Sequence, residues 1–181
     1  ATNANYGVAF ATDTMWDALT ISAYANYCRQ HVFSPAGVTG ATLDHPAQDA
    51  LAYTFPIFTS GWNSGNRATV SGGAGWHLSV DDLLAVMGAF RREGSIMRNA
   101  QAQTMLDDGF GIDVIQGTPI GTLYNKNGLW KDGSGRVEQS LAYFLPQGME
   151  MVVLANSPIG IYPGKFFRNV VSNLYIANIK N

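Results

Sequence analysis

The sequence predicts an α+β protein in which helical segments come first and an antiparallel sheet follows. To about Phe33, and again in the segment 77–94, apolar residues recur at the spacings of three and four that are typical of amphipathic helices. From residue 107 the chain consists of short apolar runs separated by turns that contain Gly or Pro, which is typical of an antiparallel meander. Elements segregated in this order along a chain favour the α+β class.

The composition supports a folded domain and excludes some classes of partner. Of the 181 residues, 46% are hydrophobic and 13% are charged, which is sufficient for a core of its own. The formal net charge of -2 gives no electrostatic reason to expect a nucleic-acid partner. No apolar run reaches the roughly 18 residues of a membrane-spanning helix, so we expect no membrane span. The many Gly, Ala, Asn and Thr residues favour a secreted or periplasmic bacterial protein.

Helices are predicted at the start of the chain, followed by an irregular connection. Ser22 is the expected N-cap of a second helix, which runs to His31 and ends at Ser34-Pro35. The single cysteine, Cys28, lies in this helix and is expected to be buried and inert. Residues 34–75 are rich in turn-forming residues and predict a long connection with little regular structure.

The clearest helix signal is the segment "HLSVDDLLAVMGAFRREG". Ser79 is followed three residues later by Asp82, which is the pattern of a capping box, and Gly94 is expected to end the helix. A short helix over residues 99–106 is expected next. The apolar face of the capped helix is predicted to contain Leu83, Leu84, Met87 and Phe90.

Four strand-like runs follow, and they predict three or four antiparallel strands joined by short turns. In order they are "FGIDVI", "IGTLYNKNG", "VEQSLAYFLP" and "MEMVVLANS". The C-terminal segment "GKFFRNVVSNLYIANI" has helical spacing and is expected to pack its apolar face on the sheet. The predicted organisation is a helical part over residues 1–106, with the irregular loop 34–75, and a part over residues 107–181 that holds the sheet and its covering helix.

Several common catalytic motifs are absent from the sequence. There is no nucleophile elbow of the Gly-x-Ser-x-Gly type, no Walker loop, no His-Glu-x-x-His and no pair of cysteines. We therefore expect neither a metal nor an organic cofactor. The three histidines are far apart and lack ligand spacing: His31, His45 and His77.

Three segments, taken in order, resemble those of a known family. "TNANYGV" stands at the N-terminus, "SGGAGWHLSVDDLLAVMGAFRREG" in the middle, and "LYNKNG" followed by "SLAYFLPQGMEMVVLANS" near the end. Together they resemble the serine β-lactamase and penicillin-binding-protein-like hydrolases, especially the class C β-lactamase and esterase branch. The resemblance runs from Thr2 to about Asn156, and a helix follows it, as in that family.

The resemblance implies roles for five residues. Asn3 matches the asparagine of the family's Tyr-x-Asn motif and would orient a substrate carbonyl. Lys126 and Gly128 match the Lys-Thr-Gly triplet of an edge strand, with Asn127 in the Thr position. The ammonium would attract a substrate carboxylate or lower the pKa of a neighbouring hydroxyl, the glycine would let substrate lie along the strand, and the Leu129 N–H would be an oxyanion donor. Asn3 and Lys126 would then face a common cavity. The alternative is that Lys126 is a solvated lysine of an edge strand.

Two departures from the family bear on activity. No Ser or Thr lies three residues before any of the four lysines, so the Ser-x-x-Lys nucleophile motif is absent, and Ala1 stands where the catalytic tyrosine is expected. We therefore expect the C-terminal half of such a hydrolase, inactive alone, which associates with an N-terminal half or with itself.

Once complemented, the hydrolase would act on a small-molecule or peptide substrate, an ester, amide or β-lactam, through an acyl-enzyme. Two alternatives remain open. One is a non-catalytic module of this family that binds a ligand or serves only as structure. The other is an unrelated α+β domain.

Overall fold

The computed structural model describes residues 13–44, 50–56, 60–159 and 167–179. Within these ranges, four α-helices and a four-stranded antiparallel sheet confirm the α+β class. Three helices precede the sheet and one follows it. The elements are α1 (Asp13–Cys28), α2 (Val80–Gly88), α3 (Asn99–Asp107), β1 (Val114–Thr118), β2 (Gly121–Lys131), β3 (Val137–Phe144), β4 (Glu150–Ala155) and α4 (Phe167–Ala177).

The first helix is longer than the sequence predicted. α1 runs through Ser22 without a break and continues as a π-helical turn, Arg29–Phe33, so the prediction that Ser22 is an N-cap is wrong. A serine in the interior costs a helix only about 0.5 kcal/mol, and no Gly or Pro near it interrupts the hydrogen bonds. The chain does leave the helix at Ser34, as predicted, and Gly37 has a φ of 73° in the turn that follows.

The predicted capping box begins α2. The Ser79 Oγ accepts a hydrogen bond from the Asp82 N–H at 3.1 Å, and the Asp82 Oδ2 accepts one from the Ser79 N–H at 3.0 Å. The hydrogen bonds from Ser79 lower the pKa of the Asp82 carboxyl group. α2 continues as a π-helical turn, Ala89–Glu93, and Gly94 ends it in the left-handed conformation with a φ of 70°. Both predicted ends of this helix are thus confirmed.

The strands form a meander in the order β1-β2-β3-β4, as predicted. β2 is the longest strand, and β1 pairs only with its first part, from Gly121 to Asn125. β3 pairs with β2 from Tyr124 to Lys131. Among the described residues, the second half of β2 therefore has a neighbouring strand on one side only.

Helices cover both faces of this sheet. On one face, Met87 of α2 and Leu106 of α3 pack with Tyr124 and Phe144. On the opposite face, α4 packs against a second cluster, which confirms the predicted covering helix, although its Leu174 is 61% exposed. That second cluster consists of Leu123, Leu141, Tyr143 and Leu145, against which Phe167, Val171 and Tyr175 of α4 pack.

The described part of the predicted irregular connection is attached to the rest of the molecule at a few points. Cys28, which is buried as predicted, packs in a cluster with Phe33 and with Trp76 from the loop before α2. The Tyr53 N–H donates to the Asn156 carbonyl at 2.8 Å. Short antiparallel bridges also join Thr42 to His77, Ala52 to Trp62 and Tyr53 to Val137.

The division into a helical part, residues 1–106, and a sheet part, residues 107–181, stays a prediction. The capped helix and α3 nevertheless pack directly on the sheet. In the ranges given above, no helix combines the length and the apolar character that crossing a bilayer requires.

Candidate functional site

The site residues predicted near the C-terminal end of the sequence lie in the middle of β2. Lys126, Asn127, Gly128 and Leu129 are all part of this extended strand. Because successive side chains of a strand point to opposite faces, Lys126 shares one face with Gly128, and Asn127 shares the other with Leu129. Asn3 lies outside the described residues, so its position beside Lys126 stays a prediction.

The face of Lys126 and Gly128 forms one wall of a cleft. The cleft has a volume of about 1020 Å³, and its other wall is the loop over residues 64–77, before α2. A volume of this size is at the upper end of the range for small-molecule sites. The side chains that line it include Lys126, Trp130, Glu138, Ser140, Leu154, Arg67 and Trp76.

Gly128 is required by its cross-strand neighbour. Gly128 is paired with Ser140 of β3, and a Cβ atom added to Gly128 would stand 2.5 Å from the Ser140 Oγ. The missing side chain therefore makes room for a hydroxyl group in the wall of the cleft. The glycine could be identified from the sequence but Ser140 could not, because the pairing register of the two strands cannot be obtained from either segment alone.

Asp113, which sequence analysis also missed, binds two of the predicted site residues. Its Oδ1 is 3.0 Å from the Lys126 Nζ, and its Oδ2 accepts a hydrogen bond from the Asn127 N–H at 2.8 Å. The Asp113 N–H in turn donates to the Asn125 carbonyl at 2.8 Å. The carboxylate thus continues the pairing to β2 at the point where the β1 ladder ends.

The charge state of Asp113 follows from these contacts. Its side chain is 29% exposed and that of Lys126 is 55% exposed. Partial burial raises the pKa of the Asp113 carboxyl group, but the hydrogen bonds from the Asn127 N–H and Lys126, with the charges of Lys126 and Arg168, outweigh it and lower that pKa overall. The carboxylate is therefore ionised at neutral pH.

The side chain of Asn127 is occupied on the other face of the sheet. Its Oδ1 accepts a hydrogen bond at 2.8 Å from the Nη1 of Arg168, which is in α4. The side chain thus joins the strand to the covering helix, while the residue also borders the cleft. The predicted role of Asn127 in binding substrate stays a prediction.

The backbone of β2 presents an open edge next to the cleft. The Asn127 N–H points away from β3, toward Asp113. Since N–H groups two residues apart in a strand point to the same side, the Leu129 N–H lies on this edge too. The structure therefore places the predicted oxyanion donor where a ligand could pair with the strand, and the role itself stays a prediction.

The far end of the cleft is built from aromatic and cationic side chains. The Arg67 guanidinium lies 4.1 Å from the centroid of the Trp130 ring, as a cation–π pair. Gly75, with a φ of 91°, permits this packing, because a Cβ atom there would meet Arg67 atoms at 2.8–2.9 Å. The absence of a side chain at Gly75 therefore lets the loop wall pack closely against Arg67.

These groups can bind and orient a carbonyl compound, but by themselves they do not complete a catalytic site. In the part of the chain that the structure describes, no side-chain hydrogen bond to the Ser140 hydroxyl is formed, although His77 and Lys126 line the same cleft. The same residues contain no group of three or more His, Cys, Asp or Glu side chains that could hold a metal ion.

Comparisons with known proteins give no family assignment. No protein-family model matches the chain, and neither a curated protein nor a solved structure matches it.

Proposed function

We propose that this chain is the C-terminal portion of a β-lactamase-like serine hydrolase. Its substrate would be an ester, an amide or a β-lactam, and the serine nucleophile would come from a segment outside these 181 residues. The observation that supports the proposal best is the open edge of β2. There Lys126 and the bare backbone of Gly128 border a cleft of about 1020 Å³, in the order expected from the resemblance.

In the proposed reaction, the acyl group of the substrate lies along β2. The Leu129 N–H donates to the carbonyl oxygen, which gains negative charge when the serine oxygen attacks the carbonyl carbon. A backbone donor held in place by a strand needs no reorganisation at that moment, and removing one such donor typically costs about 100- to 1000-fold in rate. The alcohol or amine leaves with a proton, and water then hydrolyses the acyl-serine to release the acid.

Lys126 contributes a positive charge beside the reacting group. Its ammonium is held on the cleft side of the sheet by the contact with Asp113 at 3.0 Å. In this position it strengthens the field felt by a developing oxyanion or by a nearby serine hydroxyl. Asn3, which the resemblance assigns to the same cavity, would orient the substrate carbonyl.

Covalent labelling tests the proposal. The 181-residue chain and a longer product that includes the residues encoded upstream are each treated with a fluorophosphonate and with labelled penicillin, and adducts are detected by mass spectrometry. We expect an adduct on a serine of the longer product and none on the chain alone. Absence of an adduct from the longer product with both reagents would rule out the hydrolase.

A matched pair of lysine variants connects labelling to the cleft. Lys126→Ala in the longer product is expected to slow labelling by about 10- to 100-fold, because the variant removes a charge next to the reacting carbonyl. Lys131→Ala removes the same charge from the end of the same strand, on the opposite face, and is expected to leave the rate unchanged. Equal rates for the two variants would contradict the assigned role of Lys126.

A non-catalytic binding module is the second candidate, and the Ser140 hydroxyl favours it. That hydroxyl lies in the wall of the cleft, where no described side chain hydrogen-bonds to it, and can therefore bond to a ligand. Saturable binding of an acylated peptide by the 181-residue chain, measured by NMR, together with no covalent adduct on the longer product, would support the module.

Association with a complementary half or with a second copy is part of the hydrolase proposal. The open edge of β2 offers backbone donors and acceptors that another strand could pair with. Analytical ultracentrifugation over a range of concentrations measures this. A chain that stays strictly monomeric and soluble at high concentration would count against it. A secreted or periplasmic location remains part of the proposal.

A further inference from the structure

We infer that Asp113 makes this site select uncharged acyl substrates, such as neutral esters, over substrates that bear a carboxylate beside the reacting carbonyl. The inference rests on the proposed function, because it names the substrate class of the same site.

The groups that would receive a substrate carboxylate are already bound to a carboxylate of the protein. The Asp113 Oδ1 is 3.0 Å from the Lys126 Nζ, and its Oδ2 accepts from the Asn127 N–H at 2.8 Å. An incoming anion would have to displace Asp113 from both groups, or approach a like charge at a distance of a few ångströms. Either requirement weakens the binding of an anion.

The other charged groups around β2 do not replace the lost attraction. Glu138, which also lines the cleft, is a second carboxylate and not a cation. Arg67 lies at the far end, stacked on Trp130, and Arg168 binds the Asn127 side chain on the opposite face of the sheet. The described groups next to the reacting position therefore offer a substrate carboxylate no cation other than Lys126, which Asp113 already binds.

A neutral ester needs only the groups that remain. The Leu129 N–H can donate a hydrogen bond to the ester carbonyl oxygen, and the absence of a side chain at Gly128 lets the ester lie against the strand. Leu154 and Trp130 supply apolar surface in the same cleft, and each is partly exposed. None of these contacts requires a counter-charge on the ligand.

The test compares two ligands that differ at one group, N-acetyl-alanyl-alanine with a free carboxylate and its methyl ester. Each is titrated into the 181-residue chain, and the dissociation constants are obtained from the amide NMR signals of β2. The wild-type chain is expected to bind the methyl ester more tightly. In Asp113→Asn the preference is expected to shift toward the free acid by about two- to fivefold, which is the scale of one partly exposed charge pair.

Both variants used in this test, Asp113→Asn and Asp108→Asn, are chosen to preserve the fold of the wild-type chain. Asparagine at position 113 retains a side-chain oxygen that can accept a hydrogen bond from the Asn127 N–H, so this contact with the edge of β2 is kept. Asp108→Asn is the matched control, because it removes one carboxylate just after α3. It is expected to leave the ratio of the two dissociation constants unchanged, and dispersed amide spectra verify folding of both variants.

Three results would overturn the inference: equal or tighter binding of the free acid by the wild-type chain, an unchanged ratio in Asp113→Asn, or no binding of either ligand. Its failure can be distinguished from that of the proposed function. Serine labelling of the longer product without an ester preference would keep the hydrolase and remove the inference. An ester preference without labelling would keep the selectivity and remove the hydrolysis.

Discussion

The Ser140 hydroxyl oxygen lies 2.5 Å from the point at which a Cβ atom on Gly128 would stand. Gly128→Ala therefore forces this hydroxyl to move within a packed strand pair. We expect the free energy of unfolding to fall by about 1–2 kcal/mol, as for other overpacked sites. Urea denaturation of the variant and the wild-type chain measures the difference.

Two further variants identify the cause. Ser140→Ala combined with Gly128→Ala is expected to recover most of the lost stability, because the clashing atom is then absent. Gly117→Ala in β1 places a methyl group where no atom lies within 4 Å, so we expect no loss. A double variant as unstable as Gly128→Ala alone would show that the hydroxyl is not what excludes a side chain.

Two adjacent arginines are expected to contribute unequally to the free energy of unfolding. Arg91 and Arg92 both pair with Glu150, whose side chain is only 5% exposed, at 2.8 and 2.9 Å. The Arg91 side chain is 11% exposed and also donates to the carbonyls of Leu145 and Met149, whereas that of Arg92 is 53% exposed. We expect Arg91→Ala to cost about 3 kcal/mol, because it leaves buried acceptors without a donor.

Arg92→Ala is the built-in control, since it removes the same charge from the same carboxylate at the surface. Its expected cost is below about 1 kcal/mol. Thermal unfolding of the two variants under identical conditions checks the ranking. Equal losses would mean that the carbonyl contacts of Arg91 add little to stability.

The capping box of α2 makes a local contribution that a single substitution removes. Ser79→Ala deletes the oxygen that accepts from the Asp82 N–H at 3.1 Å. We expect a loss of about 1 kcal/mol in the free energy of unfolding, measured in urea. Ser79→Asp, which retains an acceptor suited to a helix N-terminus, should lose less. If alanine and aspartate were equally destabilising, the cap would not be the cause.

Tyr143 connects the sheet to α4 through its phenol hydroxyl. We expect this contact to make the stability of the protein depend on pH in the alkaline range. Its hydroxyl donates to the Arg168 carbonyl at 2.9 Å and lies 3.0 Å from the Ser172 Oγ. Tyr143→Phe removes both contacts and is expected to cost about 1–2 kcal/mol at neutral pH. Guanidinium denaturation at pH 7 measures this cost.

The pH dependence follows from the environment of the same phenol. Burial raises the pKa of Tyr143 above the ordinary 10.0, although Ser172 and Arg168 partly oppose the shift. The unfolded chain therefore loses this proton first, so the contribution is complete below pH 10.0 and is lost as the pH rises through the higher pKa of the folded protein. Tyr143→Phe should show a smaller alkaline loss, with the remainder from Tyr24 and Tyr124, whose pKa values burial also raises.

Most of the fold could be predicted from the sequence because its signals are local. The capping pattern at Ser79 and the turns between the apolar runs each depend on a few neighbouring residues. The prediction that Ser22 begins a helix was wrong because the local signal of a serine is ambiguous. Serine caps helices and is also tolerated inside them, and only the continued helix on both sides decides between the two.

The site could be predicted only in part. Lys126 and Gly128 were identifiable because a cation and a glycine are unusual in a strand. Asp113 was not, because its role depends on where the β1 ladder ends relative to β2, a relationship between two segments. Ser140 depends in the same way on the register of β3. Local sequence thus identifies unusual residues, while their partners follow from long-range pairing.

Tyr53 joins the connection before α2 to the start of β3 and to the residue after β4. The Val137 N–H donates to the Tyr53 carbonyl at 3.2 Å, and the Tyr53 N–H donates to the Asn156 carbonyl at 2.8 Å. The Val137 amide proton is thus shielded from deuterium exchange by a segment outside the meander, and the Tyr53 amide proton of that segment is shielded by the residue that follows β4. Their exchange should follow the detachment of that segment, a subglobal event that leaves the central strands intact. We therefore expect the amide at the start of β3 to exchange together with the connection that precedes α2, ahead of the amides in the middle of β3.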